Sequence, residues 1–180
     1  MKRGEFEHCI RAAGAILGTN KVLVIGSQAI HGSVKFDFPE AQRSIEADIA
    51  ALDDSDGSKA DLIDGSIGEL SIFQETFGYY AQGVTPKTAI LPGGWKTRLV
   101  PFLTPQTNGV TALCLEPHDL WISKAAAGRP KDIEYCNALL KHGIVKKALL
   151  QTRLKLVKKL QPKVRERILG LIERFYSKLE

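Results

Sequence analysis

The strongest constraint on this chain lies in two short segments about 20 residues apart. Residues 21–26 read KVLVIG, four consecutive apolar positions that stop on Gly26-Ser27. A run this short, closed by a turn residue, is a buried strand. Residues 44–52 read SIEADIAAL, where Ile45, Ala47 and Ile49 alternate with Glu46 and Asp48. In a strand this places the apolar side chains on one face and both carboxylates on the other, with their Cα atoms about 6.5–7 Å apart. Two acids on one strand face are costly unless they meet water or a cation. Either they converge on one hard cation, Mg²⁺ or Mn²⁺, whose shell is completed by water and substrate phosphate, or they are the solvated side of a half-exposed strand. The Gly26-Ser27 turn leads into SQAIHG, read as a short helix. Ser27 there either caps the helix while backbone N–H groups point at an anion, or belongs to a plain strand-to-helix turn. Gly26 and Gly32 lack the spacing of a dinucleotide fingerprint.

Around these segments the hydrophobic pattern predicts a helix over residues 5–17, stopped by Gly18. A loop is expected through VKFDFPEAQ and another through DDSDGSKAD. ELSIFQETFGYYAQGV reads as helical in its first part, with Gly78 and Gly83 near its end. KTAILPGGWKTRLVPFL reads as a hairpin around Pro92-Gly93-Gly94, and GVTALCLE as a further strand. Pro117 opens a helix that Gly128 stops near Ala127, and Pro130 opens another that Gly143 closes. Two amphipathic helices follow, IVKKALLQTRLKLVKKL and PKVRERILGLIERFYSKL, separated near Pro162. This order predicts a mixed sheet carrying helices, followed by a helical C-terminal portion.

The charge is divided along the chain. Residues 141–180 hold 12 Lys and Arg against 3 Asp and Glu, whereas the preceding 140 hold 13 against 17. A basic tail on a mildly acidic body either meets nucleic acid or is the solvated face of amphipathic helices. The opening MKRGEFEHCI has no apolar signal core and no apolar run reaches membrane length, so a soluble, cytoplasmic protein without a membrane partner is expected. Cys9, Cys114 and Cys136 lack ligand spacing and read as reduced, buried thiols. His8, His31, His118 and His142 are equally scattered.

Gly26-Ser27 after one strand and E-x-D at Glu46 and Asp48 on the next resemble the hallmark of the nucleotidyltransferase superfamily. A second block, LEPHDLWISKAAAGRPKDIEYCNALLKHGIV, is similar to the P-x-D-L…K…A-x-R-x-K-D segment of abortive-infection-type (AbiEii-like) nucleotidyltransferase-like proteins, with Asp119, Leu120, Lys124, Arg129, Lys131 and Asp132 in order. The resemblance spans most of residues 20–145. It implies an α/β (α+β) fold, with a nucleotidyltransferase-like mixed sheet and flanking helices over residues 1–115 and a helical region over residues 116–180 that packs on that core and is basic from about 141. It implies metal binding by Glu46 and Asp48 and nucleotide contact by Gly26, Ser27, Lys124 and Arg129. Glu46, Asp48, Lys124 and Asp132 are implied for catalysis. The implied activity is metal-dependent transfer of a nucleoside monophosphate from a nucleoside triphosphate to a hydroxyl on RNA or protein, in a toxin–antitoxin or phage-defence setting with a partner protein. RNA would meet the basic C-terminal helices. The alternative is an inactive binding module of the same fold, because the strands read as TAIL, TRLVPF and VTALCL carry no third acid. Read from its surroundings alone, Lys124 shares a helix face with Leu120 and either snorkels or reaches a phosphate. Asp132 in a first turn either favours the helix dipole or supports chemistry.

Overall fold

In a computed structural model, residues 1–177 are described; Lys178 and Leu179, at the end of the last predicted helix, and Glu180 lie outside them. The chain forms two compact units. One comprises Met1–Thr88 with Leu99–Leu115, the other Ala89–Arg98 with the chain from Glu116 onward.

The first unit is a five-stranded mixed sheet of order β3-β2-β1-β5-β4. Its strands are β1 (Lys21–Val24), β2 (Glu46–Ala50), β3 (Tyr80–Gly83), β4 (Val100–Phe102) and β5 (Thr111–Cys114). β1 runs antiparallel to β2 and parallel to β5, β2 pairs parallel with β3, and β4 closes the far edge antiparallel to β5. Registered partners share a face. Val22, Val24, Ala47, Ile49, Ala81, Phe102, Ala112 and Cys114 therefore make one side, and all are buried. Helix α1 (Arg3–Leu17) covers that side with Phe6, Cys9, Ile10 and Ala13; the Phe6 ring lies 5.2 Å from Phe102 and 4.9 Å from His31. Stopping α1 at Gly18 agrees with its left-handed φ of 59°. The opposite side carries Glu46, Asp48, Tyr80, Gln82 and Leu113, and all but Tyr80 are half-exposed.

SQAIHG is a short helix as expected, of 3₁₀ type, at Ser27–Gly32. Three local expectations are corrected. The second loop contains the start of α3 (Ser58–Ile67), because the Asp54 carboxylate accepts from the N–H groups of Gly57, Lys59 and Ala60 and nucleates the turn. A short helix, α2 (Pro39–Gln42), likewise ends the first loop. The predicted hairpin is absent. Residues 95–98 form a 3₁₀ turn, Gly93 N–H donates to Leu156 O, and β4 pairs with β5 downstream. The segment read as helical does begin as one, α4 (Ile72–Phe77), but after Gly78 it becomes strand β3.

The second unit is helical: α5 (Pro117–Ala127), α6 (Pro130–Lys141), α7 (Lys147–Lys155) and α8 (Pro162–Tyr176). Trp121, fully buried, donates from Nε1 to Cys136 O at 3.1 Å and ties α5 to α6. Leu139, Leu150, Leu154, Ile168 and Ile172 complete the core. The Arg167 guanidinium donates to the carbonyls of Ala125 and Ala126, which the end of α5 leaves without helical partners. All three cysteines are free and buried, and burial pushes their thiols upward, Cys9 and Cys114 to about 12. Among the described residues, no helix is long and apolar enough to cross a membrane.

Candidate functional site

β2 alternates as its sequence requires: Ala47 and Ile49 turn to the core, Glu46 and Asp48 to the opposite face. The antiparallel step to β1 sets Ile25 beside Asp48, with Ile25 N–H donating to Asp48 O at 3.2 Å. One residue later the chain reaches Gly26, and a Cβ placed there would overlap the Asp48 carboxylate. Gly26 has φ −90° and ψ −161°, which any residue adopts, so glycine is required here for space rather than for backbone freedom. The turn after β1 and the second acid of β2 thus share one cradle, with Ser27 next in line. This juxtaposition of Gly26, Ser27 and Asp48 was legible in the sequence only as spacing.

β3 supplies what the sequence did not signal. Its parallel register sets Tyr80 opposite Glu46 and Gln82 opposite Asp48. The Tyr80 hydroxyl donates to Glu46 Oε2 at 3.2 Å, which fixes one carboxylate oxygen. Burial, then the charges of Glu46 and Glu69, push the Tyr80 phenol up to about 12, so it stays a donor at neutral pH. Gln82 is itself held, donating to both carboxylate oxygens of Asp64 at 2.9 and 3.0 Å, while Gly83 N–H donates to Asp64 Oδ1 at 2.6 Å. Asp64 thereby clamps α3 to β3. Among the described residues, the only acids on the strands at this sheet face are Glu46 and Asp48, and no three His, Cys, Asp or Glu side chains cluster as a metal site. One carboxylate against Gly26, with a second on the same strand face, would suit a cation that keeps water and phosphate in its shell rather than an all-protein cage. A cleft of about 350 Å³ opens at the other end of β1 and β2, by Thr19, Ala51 and Lys59, away from the acids.

In the second unit the structure brings Lys124, Arg129 and Asp132 together. Asp132 is fully buried; Lys124 Nζ lies 3.4 Å from Oδ1 and Arg129 Nε 2.7 Å from Oδ2. Burial raises the Asp132 carboxyl, but the Arg129 hydrogen bond and the Lys124 and Arg129 charges outweigh it and hold the group below the usual range. Lys124 also sits 4.8 Å above the Tyr135 ring. Lys124 therefore does more than snorkel. The Arg129 side chain is 62% exposed.

Asp119 and Leu120, from the same motif, are buried. Asp119 accepts from Arg98 Nε at 2.8 Å and Arg98 Nη2 at 3.1 Å, with Arg153 Nε 3.2 Å away. Arg98, half-buried, is thus the partner of a fully buried acid. The His118 ring bonds Glu116 through Nδ1 and accepts from Lys146 N–H at Nε2, so the proton sits on Nδ1.

A family model described as "Nucleotidyltransferase of unknown function (DUF6036)" matches residues 6–169. No curated protein and no solved structure is significantly similar to the chain.

Proposed function

Given that the chain belongs to this family of nucleotidyltransferases of unknown function, we propose that it transfers a nucleoside monophosphate from a nucleoside triphosphate to a hydroxyl on RNA or on a protein. The observation that carries this reading is the Gly26–Asp48 cradle, with Glu46 on the same strand face. Glu46 and Asp48 would hold Mg²⁺ or Mn²⁺, which when bound neutralises triphosphate charge. Tyr80 holds Glu46 in a fixed orientation, and the absent Cβ of Gly26 leaves Asp48 its place. Gly26 and Ser27 are assigned to the triphosphate, whose oxygens suit backbone N–H donors. Lys124 and Arg129 are assigned to phosphate, with Asp132 as the support that positions both cations. In the step itself the acceptor oxygen bonds to the α-phosphorus, the bond to the bridging oxygen breaks, and pyrophosphate leaves. The hydroxyl proton goes to water.

The block from Asp119 to Asp132 supports placing the chain near the abortive-infection branch, and hence in a toxin–antitoxin or phage-defence pair. RNA as acceptor would use the basic C-terminal helices, and binding through them should weaken steeply with salt. One observation favours a second reading, a non-catalytic binding module: Gln82 stands opposite Asp48, so β3 adds no acid to the pair.

The test is incubation with each labelled triphosphate, Mg²⁺, total RNA and lysate protein, beside a binding titration. A labelled product is expected, together with Mg²⁺-dependent triphosphate binding that collapses in Glu46→Ala/Asp48→Ala. Full-strength binding by that double variant would overturn the site, whereas binding without any labelled product would select the binding module.

A further inference from the structure

Leu70 and Ile72, on either side of Ser71 at the start of α4, are the two most exposed large apolar side chains among the described residues, at 94% and 81%. Leu70 also has a φ of +63°, a conformation that branched side chains rarely adopt. The backbone here is pinned. Gly68 N–H donates to Asp64 O, Ser71 Oγ to Gly68 O at 2.6 Å, Leu70 N–H to Gln74 Oε1 at 2.6 Å, and Gln74 N–H to Ser71 Oγ at 3.2 Å. A strained, hydrogen-bonded backbone that turns a leucine and an isoleucine to water is a pre-ordered contact surface. Leu62 on α3 and Phe77 on α4 are also about half exposed.

The charged residues that the knob's own stretch of chain carries are of one sign. Residues 60–86 contain Asp61, Asp64, Glu69 and Glu75 and no Lys, Arg or His. Asp64 is occupied by Gln82 and Gly83, while Asp61, Glu69 and Glu75 are exposed. The surface that fits it is therefore apolar and cationic. Two such knobs would not pair with each other, because their acids repel. The chain carries a matching surface where α7 leads into α8: Lys155, Lys158, Lys159 and Lys163 are exposed there, with Leu156 39% exposed among them.

We propose that the Leu70–Ile72 knob of one molecule docks on the basic α7–α8 surface of a second copy of this chain. The contact joins two different patches of the chain, one from each unit. It does not depend on the acid pair of β2 or on any activity there.

Sedimentation velocity of the full chain over a wide concentration range, at low and high salt, tests it. Mass should rise with concentration and fall with added salt. Leu70→Asp/Ile72→Asp should weaken association at least about tenfold with an unchanged melting temperature, since both side chains are exposed. Glu69→Lys/Glu75→Lys should do the same, and mixing that variant with Lys158→Glu/Lys159→Glu should restore association between the two. A monomer at every concentration in low salt, association that survives Leu70→Asp/Ile72→Asp, or a charge-swapped pair that fails to recover would each overturn the proposal.

Discussion

Asp48 and Asp132 are two aspartates singled out by the same sequence resemblance, and their surroundings are opposite. Asp48 lies half-exposed on an open strand face, against a residue with no side chain. Its neighbour Glu46 accepts from the Tyr80 hydroxyl, which fixes one carboxylate oxygen. Asp132 is fully buried, and two cations reach its carboxylate within 3.4 Å. An acid matched by Lys124 and Arg129 holds them in place, whereas cation binding by the acids of β2 is the role proposed above. The same residue type thus sits on a half-exposed strand face in one unit and in a closed ion cluster in the other.

The contrast predicts that substitutions in the closed cluster cost stability, while those on the open face cost binding. The largest stability loss is expected for Asp132→Asn, which leaves Lys124 and Arg129 without their counter-charge. Because Arg129 is largely exposed, about 2 kcal/mol is expected rather than the full cost of an orphaned buried charge. Its folded-state pKa lies below the unfolded value, so this contribution is present at neutral pH and is lost as pH falls below about 4. Urea unfolding of both proteins at pH 7 and pH 3 checks this; an equal gap at both pH values would mean that the carboxylate charge is not what Asp132 supplies.

Gly26→Ala should cost about 1–3 kcal/mol, since the added methyl overlaps the Asp48 carboxylate and comes within 2.9 Å of Asp48 Cβ. Displacing the Asp48 carboxylate should nonetheless lower Mg²⁺-dependent triphosphate affinity about tenfold or more, read by titration with and without the metal. Unchanged affinity would dissolve the cradle as a functional feature. The smallest effect belongs to Tyr80→Phe, which keeps the ring and removes one hydrogen bond. Stability should change by no more than about 1 kcal/mol and Mg²⁺–triphosphate affinity by about threefold. A loss as large as that of the Gly26 variant would show that Tyr80 does more than orient Glu46.

Local rules settled the elements whose ends are marked by their own residues. α5 and α6 begin at Pro117 and Pro130, and Gly128 stops α5 with a φ of 69°. β2 was readable because its period-2 alternation is strict, and Glu46 and Asp48 stood out because acids interrupt an apolar strand. β3 was not readable: it follows Gly78 directly, its Gln82 breaks the apolar pattern, and strand geometry comes to it from pairing with β2. The false hairpin has the same origin. β4 looks fit to pair with the run before it, yet its partner β5 lies beyond it in the chain. Asp64 and Arg98 gave no signal at all, being a lone acid and a lone cation whose partners are distant in sequence.

Periodicity, caps and spacing alone determined which face of β2 carries the two carboxylates and where α5 and α6 start. Tertiary structure decided that Gly26 makes room for Asp48, that Tyr80 holds Glu46, and that Lys124 and Arg129 converge on Asp132. A strand's alternation is a property of consecutive residues, whereas a carboxylate's charge state and freedom depend on what the folded chain packs against it.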